Sequence, residues 1–410
     1  MQIKKITQCR ICKQKNFTKF LLLGNIPLPN GFIKPEDVHK KVNRYPLNVC
    51  ICNHCKLVQL CELVNPSVMF HNYVYIPSTS QTRMRNFSEI ALQAIDIGKL
   101  NQDSLVIDIG SNDGSLLSFF KGIGIKTLGI DPAENLAKIA ELKGIETIND
   151  FISVPLARTI RKVKGPAKIV TATNVVAHIH NLRELFEAIE ILLDDDGIFI
   201  CEFPYLLDLI TKNQFDTIYH EHLSYFSIKP LLILLEFIKL RPVKIIHTPI
   251  DGGSLRIFLS KKMGTLDSTI AKLLKEEEKN GIDDIKTLQK FAKRVQILKS
   301  ELHKTLVQIK RRGKTVAAYG AAAKGNILLN FCGISNKLIE FAVDSTPYKQ
   351  GLYTPGSKIP IFPESEIVKR RPDYVLILAW NFAEEIMNKQ KQYKTRGGRF
   401  IIPVPQVTVV

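Results

Sequence analysis

Four consecutive residues, Tyr219-His220-Glu221-His222, form the densest acid–base cluster in the chain. A phenol, two imidazoles and a carboxylate can together supply a base, an acid and an orienting group. Histidine titrates near neutrality, and one hydrogen-bonded to a carboxylate suits general-base work. Metal binding fits less well: His-x-His around a Glu is not His-Glu-x-x-His, and a zinc site here lacks a clear third ligand. A packed cluster with satisfied hydrogen bonds is the plain structural alternative. His178, four residues after Asn174, is a further imidazole, of a kind more often structural than catalytic when taken alone.

A second constellation is the glycine turn Asp108-Ile109-Gly110-Ser111-Asn112-Asp113-Gly114. It follows the apolar run 104–107 and leads into an apolar helix start at Leu116-Leu117. The next apolar run, 127–130, ends on Asp131. Strand, glycine turn, helix, strand and acid build a nucleotide-type crevice at the carboxyl end of a parallel sheet. Glycines let the backbone approach the ligand, and the acid can accept from ribose hydroxyls. The spacing is D-x-G-x-x-x-G, not G-x-G-x-x-G. It points to S-adenosylmethionine, whose ribose carries no pyrophosphate. A bare strand-to-helix turn is the alternative.

Six of the eight cysteines lie in the first 61 residues, among them Cys9-x-x-Cys12 and Cys52-x-x-Cys55. Two such knuckles give four thiolates that can close a tetrahedral zinc site with no open position, a structural staple rather than a catalytic metal. Cys50 is an alternative ligand, but alternation after Leu47-Asn48-Val49 makes it a strand residue, and Cys61 reads as structural. Near the other end, a strand ending at Tyr319 runs into Gly320-Ala321-Ala322-Ala323-Lys324-Gly325-Asn326. Small residues followed by lysine at a helix start make an anion cradle without being a P-loop. A tightly packed turn without a ligand is the alternative.

These groups need elements to hold them. An aromatic stretch, 69–75, precedes a helix pattern over 82–97, and helices over 133–143 and 181–193 alternate with apolar strand runs. Alternation implies a mostly parallel sheet whose strand ends share one rim. The segment 266–312 is long, charged and helical in pattern, interrupted near Asn280-Gly281. The fold class is therefore α/β. Three parts are expected, over 1–70 with the cysteine knuckles, over 71–250 with the glycine turn, and over 251–410 with the second α/β unit.

The 410 residues carry a net charge of +18, are 45% hydrophobic, and exceed what one core holds. Lysines and arginines are spread along the chain without a basic, aromatic-interleaved stripe, so the charge favours an anionic small molecule over nucleic acid. The first residues lack the apolar core of a signal peptide, and no apolar run is long enough to span a bilayer. A soluble, cytoplasmic protein without membrane attachment is expected, as a monomer or small homo-oligomer.

The motifs together resemble the three-domain sugar C-methyltransferases that act on nucleotide-linked keto sugars. The resemblance runs through both C-x-x-C pairs, YPLNV, LVQL, DIGSNDGSLL, NVVAHI, IYHEHLSYFS, GGSLR, GAAAKGN, VDSTPYKQG and LAWNF, nearly the whole chain in order. It implies a zinc-binding amino-terminal domain, a central S-adenosylmethionine domain, and a carboxyl-terminal Rossmann-like domain that helps hold the sugar nucleotide. It implies zinc on Cys9, Cys12, Cys52 and Cys55. It puts Gly110, Asn112 and Gly114 along S-adenosylmethionine, Asp108 nearby, Asp131 on the ribose and Asn174 beside the methionine moiety. It places His178, Tyr219, Glu221, His222 and Tyr75 around the sugar, with Tyr73 the weaker candidate. Lys324, Asn326, Arg256 and Tyr319 form the implied substrate-binding set. Asp251 departs from the pattern, since histidine is expected there in many relatives.

The implied reaction is methylation of C3 of a 4-keto-6-deoxyhexose, in deoxysugar biosynthesis. His222 acts as base with Glu221 orienting or assisting, and His178 and Tyr219 hold the keto sugar and its developing oxyanion. Two other classes stand beside it. A zinc-containing nucleic-acid methyltransferase needs a motif such as N-P-P-Y where this chain has Asn174-Val175-Val176-Ala177. A non-catalytic sugar-nucleotide-binding protein has no use for the Tyr-His-Glu-His cluster.

Overall fold

The computed structural model describes residues 3–70, 73–262 and 268–410. His71 and Asn72 of the aromatic stretch, and Leu266 and Asp267 of the expected helical segment, lie outside the described residues.

The amino-terminal part is a four-stranded antiparallel sheet. Its strands run in the order Ser224–Tyr225, Val58–Leu60, Tyr45–Cys52, Phe17–Ile26. Alternation in Tyr45–Cys52 buries Leu47, Val49 and Ile51, and places them in the main core. The edge strand Ser224–Tyr225 comes from the middle of the chain, one residue after the Tyr-His-Glu-His run. Leu60 N–H donates to the Leu223 carbonyl at 3.0 Å, and Leu223 N–H donates to the Ala177 carbonyl at 2.7 Å. Arg10, 1% exposed, ties the same edge by donating to Gln59 Oε1 and the Leu60 carbonyl. The cysteine-rich module thus forms one wall behind the cluster.

The central sheet has seven strands. Their order is Arg241–Thr248, Ser254–Ser260, Leu193–Pro204, Ala167–Thr173, Leu105–Ile109, Lys126–Ile130, Thr147–Ile148. The last five run parallel, and Ser254–Ser260 is antiparallel to both its neighbours. Every residue of Leu105–Ile109 is buried, as a strand covered on both faces requires. Helices Gln81–Gly98 and Ser115–Lys121 pack Phe87, Ile90, Leu117 and Phe120 on one face. Helices Val154–Lys164 and Leu182–Leu192 pack Ile160, Leu185 and Ile189 on the other. From Leu105–Ile109 the chain winds outward one way and returns to Ala167–Thr173 on the other side. That reversal opens a crevice at the strand ends. The sheet runs past the expected boundary at 250/251, because Ser254–Ser260 pairs along its length with Leu193–Pro204.

Helices Ser268–Asn280 and Ile285–Arg311 follow, broken at Gly281, whose φ is 58°. The carboxyl-terminal sheet has the order Ile361–Phe362, Phe341–Val343, Val316–Tyr319, Tyr374–Ile377, Arg399–Ile402, Thr408–Val409, all parallel except the last strand. Among the described residues no helix is long and apolar enough to cross a membrane.

Candidate active site

Gly110 turns the chain out of Leu105–Ile109 with φ 69°, and its N–H donates to the Ile130 carbonyl at 2.7 Å. A Cβ there would lie 2.4 Å from Val175 Cγ2, so only glycine fits. Asp131 Oδ2 accepts the Asn112 N–H and Oδ1 accepts the Ala133 N–H, both at 2.8 Å. The acid thereby fixes the glycine turn against its own strand end. Asn112 Nδ2 donates to the Tyr75 carbonyl at 3.1 Å, which ties the aromatic stretch to the turn. Burial pushes the Asp108 carboxyl up to about 7, against its hydrogen bond from Thr171. Burial also raises Asp131, opposed by the two backbone donors.

The carboxyl-terminal sheet repeats this construction. Gly320 has φ 89° and donates its N–H to the Val343 carbonyl at 2.7 Å. Asp344 accepts the Ala321 N–H on Oδ2 and the Thr346 N–H on Oδ1, again both at 2.8 Å. Lys349 Nζ adds an ion pair to Asp344 at 3.2 Å. Lys324 Nζ donates to the Asp251 carbonyl at 2.9 Å and lies 5.1 Å from the Trp380 ring centroid. Tyr319 hydrogen-bonds Glu364.

Between the crevices lies the cluster. His222 Nδ1 is 2.8 Å from the Thr217 carbonyl, so Nδ1 carries the proton and Nε2 keeps a free lone pair. Its ring stacks on Tyr219 at 3.9 Å and lies 5.0 Å from His178, centroid to centroid. Burial first, then the neighbouring His178 and Lys324, lower His222 well below the usual histidine range. Burial brings His178 down to about 4. Tyr219 stays a phenol, its ionisation pushed far up by burial and by Glu221.

Glu221 does not orient His222. The two diverge within one tight turn, where His222 N–H donates to the Tyr219 carbonyl at 2.9 Å. Glu221 instead accepts from Tyr73 Oη at 2.8 Å and Asn30 Nδ2 at 2.7 Å. Burial raises it to about 7, with both donors pulling it down. Tyr73 is therefore the aromatic that meets the cluster's acid, whereas Tyr75 contributes its carbonyl and lines the cavity. His220 turns the other way, and its Nε2 lies 3.3 Å from the Tyr45 carbonyl.

One cavity of about 530 Å³ connects these groups. Its lining brings together Tyr75, Asp108, Gly110, Asn112, Asp131, Asn174, His178, Tyr219, His222, Tyr319 and Lys324. Four other expected site residues are not on it. Gly114 starts a helix and faces Ile145 and Ala140. Glu221 lies behind Tyr73. Asn326 is fully buried, donating to the Pro29 carbonyl at 2.7 Å. Arg256 is fully buried in Ser254–Ser260, where its guanidinium is consumed by Glu202, Asn86 and Gln93. Sequence reasoning missed Arg83, which reaches the cavity from the start of helix Gln81–Gly98. It donates to both oxygens of Asp251 at 2.6 Å. No spacing rule marks a lone arginine in a polar helical turn.

The four cysteines converge. Their Sγ atoms all lie within 4.8 Å of one another, with Cys9–Cys55 at 3.4 Å and Cys12–Cys52 at 3.5 Å. The knuckles are alike in backbone. Lys13 (φ 62°) donates its N–H to the Cys9 carbonyl, and Lys56 (φ 66°) to the Cys52 carbonyl. Four thiols at tetrahedral spacing, with no oxygen ligand in the set, fit zinc and leave no open position.

Family models match the chain in three stretches: a zinc binding domain over residues 9–70, a methyltransferase domain over 80–237, and a C-methyltransferase C-terminal domain over 249–405. C-methyltransferase NovU of Streptomyces niveus is 35% identical over 410 residues, covering 100% of this chain and 98% of that one. The chain belongs to the C-methyltransferase family. An uncharacterized methyltransferase of Alkaliphilus oremlandii is 27% identical over 127 residues, covering 30% of this chain and 55% of that one. Among solved structures, magnesium protoporphyrin IX methyltransferase of Synechocystis PCC 6803 with bound SAM is 15% identical. It matches at a TM-score of 0.33, covering 43% of this chain and 78% of that one. This C-methyltransferase uses S-adenosylmethionine and carries structural zinc on its four cysteines.

Proposed function

We propose that this C-methyltransferase methylates C3 of a nucleotide-linked 4-keto-6-deoxyhexose. The observation that carries the reading is the single cavity shared by two like-built crevices, with His222, His178 and Tyr219 between them. Two crevices of nucleotide type suit two nucleotide-like ligands. The sheet around Asp131 takes S-adenosylmethionine, and the sheet around Asp344 takes the sugar nucleotide. The domain division at residues 70 and 250 belongs to the same proposal, with the Ser254–Ser260 strand shared by the central sheet.

S-adenosylmethionine supplies a methyl group on a positively charged sulfur. The protein must make a carbon nucleophile. A ketone at C4 acidifies the proton on the adjacent carbon. His222 Nε2 takes that proton, and the electron pair passes into the enolate. Tyr219 donates a hydrogen bond to the developing oxyanion beside His178. The neutral His222 starts in the protonation state the step needs. Glu221 acts through Tyr73 and does not touch the sugar. Lys324 meets the diphosphate, and Tyr319 and Lys349 flank the nucleotide.

The test is product analysis after incubation with S-adenosylmethionine and a panel of nucleotide-linked 4-keto-6-deoxyhexoses. A cofactor-dependent gain of one methylene unit, located by NMR at C3, supports the reading. Methylation at C5, the other carbon beside the ketone, would correct the position and keep the chemistry. No gain with any member would refute the substrate class.

A further inference from the structure

Asp216 is fully buried, yet it has no place in the chemistry above. Its Oδ2 accepts from Trp380 Nε1 at 2.6 Å. Neither side chain lines the cavity, whereas Ala379 and Asn381, on either side of Trp380, do. Burial raises the Asp216 carboxyl, and the Lys324 charge and then the indole donor oppose it. An apolar side chain would fill the same place without desolvating a carboxylate. What the carboxylate adds is direction, because a charge-assisted hydrogen bond to an indole N–H fixes the rotation of the turn that carries it.

That turn is Phe215–Thr217, closed by Ile218 N–H donating to the Phe215 carbonyl at 3.0 Å. Two of its residues hold to the carboxyl-terminal part of the chain. Phe215, fully buried, packs on Phe331 of helix Ala323–Phe331, with ring centroids 5.2 Å apart. Asp216 bonds Trp380, which lies just past strand Tyr374–Ile377. The third residue is Thr217, whose carbonyl meets His222 Nδ1 at 2.8 Å. The Thr217 side chain adds no hold, since its Oγ1 is buried without a hydrogen-bond partner among the described residues. The direction of its carbonyl therefore comes from the two residues before it.

The carbonyl acts through the tautomer. Which nitrogen of a neutral imidazole carries the proton is set by the hydrogen bond made at the other. With the Thr217 carbonyl in place, Nδ1 is protonated and Nε2 is bare. With that carbonyl turned away, the proton can sit on Nε2, and in that form Nε2 cannot take a proton from the sugar.

We propose that Trp380 and Asp216 are positioning residues for proton removal: their hydrogen bond fixes the turn that aims the Thr217 carbonyl at His222. The inference rests on His222 being the base. It gives the carboxyl-terminal sheet, through the turn after Tyr374–Ile377, a part in the chemistry besides holding the sugar nucleotide.

The test uses the zinc-loaded full chain with isotope-labelled histidine and nitrogen NMR, the His222 signals being assigned by their loss in His222→Asn. Trp380→Phe keeps a ring and removes the N–H. The unaltered protein should show His222 protonated on Nδ1 alone, and the variant should show a mixture of both tautomers. Deuterium exchange into the keto sugar, with S-adenosylhomocysteine bound, should slow about tenfold at saturation while the KM for the sugar nucleotide stays within about threefold. S-adenosylhomocysteine binding should stay within about twofold, which shows that the fold is kept. Asp216→Asn keeps an acceptor and loses its charge. The indole N–H resonance of Trp380, the only tryptophan, should then move upfield, and His222 should change in the same direction to a smaller degree. An unchanged tautomer in Trp380→Phe would overturn the proposal, as would a raised KM with an undiminished saturated rate. If Trp380→Phe loses S-adenosylhomocysteine binding, Asp216→Asn decides alone, and unmoved His222 signals there overturn the proposal. Undiminished exchange in His222→Asn would refute the base assignment instead, and the tautomer signals of Trp380→Phe report on the turn in either case.

Discussion

His222 gives its Nδ1 proton to the Thr217 carbonyl across 2.8 Å, which leaves Nε2 bare toward the cavity. A backbone carbonyl cannot donate, so this contact selects the tautomer without adding a charge. A carboxylate in that place would have raised the histidine. Here burial and the nearby His178 and Lys324 lower it, so the imidazole is neutral wherever the fold is intact near neutral pH. The unprotonated Nε2 is in the state that the proposed reaction requires of its base.

Stability should carry the signature of Glu221. Its folded pKa is raised from 4.5 to about 7 by burial, so the folded state binds a proton more readily than the unfolded chain. Its contribution is fully present below pH 4.5 and is lost as pH rises through 7. Glu221→Gln should therefore gain stability relative to the unaltered protein between pH 5 and pH 7.5, by an amount on the order of 1–3 kcal/mol. Urea denaturation at both pH values checks the sign. The histidines run the opposite way: His178 and His220, brought to about 4 by burial, contribute stability above pH 6.5 that is lost as pH falls through 4. Comparing the variant with the unaltered protein cancels that background.

Zinc removal should act on turnover through the edge strand Ser224–Tyr225. That strand starts two residues after His222 and pairs with Val58–Leu60, which starts three residues past Cys55. Chelation, or Cys12→Ser, should lower the melting temperature and cut turnover about tenfold or more, while S-adenosylhomocysteine binding at the glycine turn changes far less. Parallel loss of both would mean that the metal supports the central sheet as well.

Tyr73→Phe and Tyr75→Phe should separate. Tyr73 gives its hydroxyl to Glu221, so the first variant removes a donor that holds the acid down. Glu221 then titrates higher, and the pH–rate profile should shift alkaline. The hydroxyl of Tyr75 pairs with Arg83 rather than with Glu221, whose donors are Tyr73 and Asn30, and the second variant should leave the profile in place. Identical profiles for both would remove Glu221 from the account.

Lys324→Met should raise the KM for the sugar nucleotide about tenfold or more, the cost of one charged phosphate contact. The KM for S-adenosylmethionine should rise less, through the lost support of the Asp251 carbonyl. A larger effect on S-adenosylmethionine would move Lys324 to the other crevice.

The parts of this site that were legible in the sequence are those fixed by local geometry. A C-x-x-C knuckle, a glycine turn between strand and helix, and an acid at a strand end each announce themselves within a few residues. The alternation of strands and helices was legible for the same reason. Contacts made by folding were not. Glu221 seemed made for its neighbour His222, yet it bonds Asn30 and Tyr73, 191 and 148 residues away. Arg256 and Asn326 look like substrate ligands by type, but the packed sheet and helix that carry them use up their donors inside the core. Arg83 has no local signature, because its importance depends on a turn 168 residues later.

The most direct measurement is solvent deuterium exchange into the keto sugar with S-adenosylhomocysteine in place of the methyl donor. Zinc-loaded protein in deuterium oxide should label the carbon beside the C4 ketone, and His222→Asn should lower that rate by a factor on the order of 100 or more while S-adenosylhomocysteine still binds. Undiminished exchange in His222→Asn would contradict the assignment of His222 as the base.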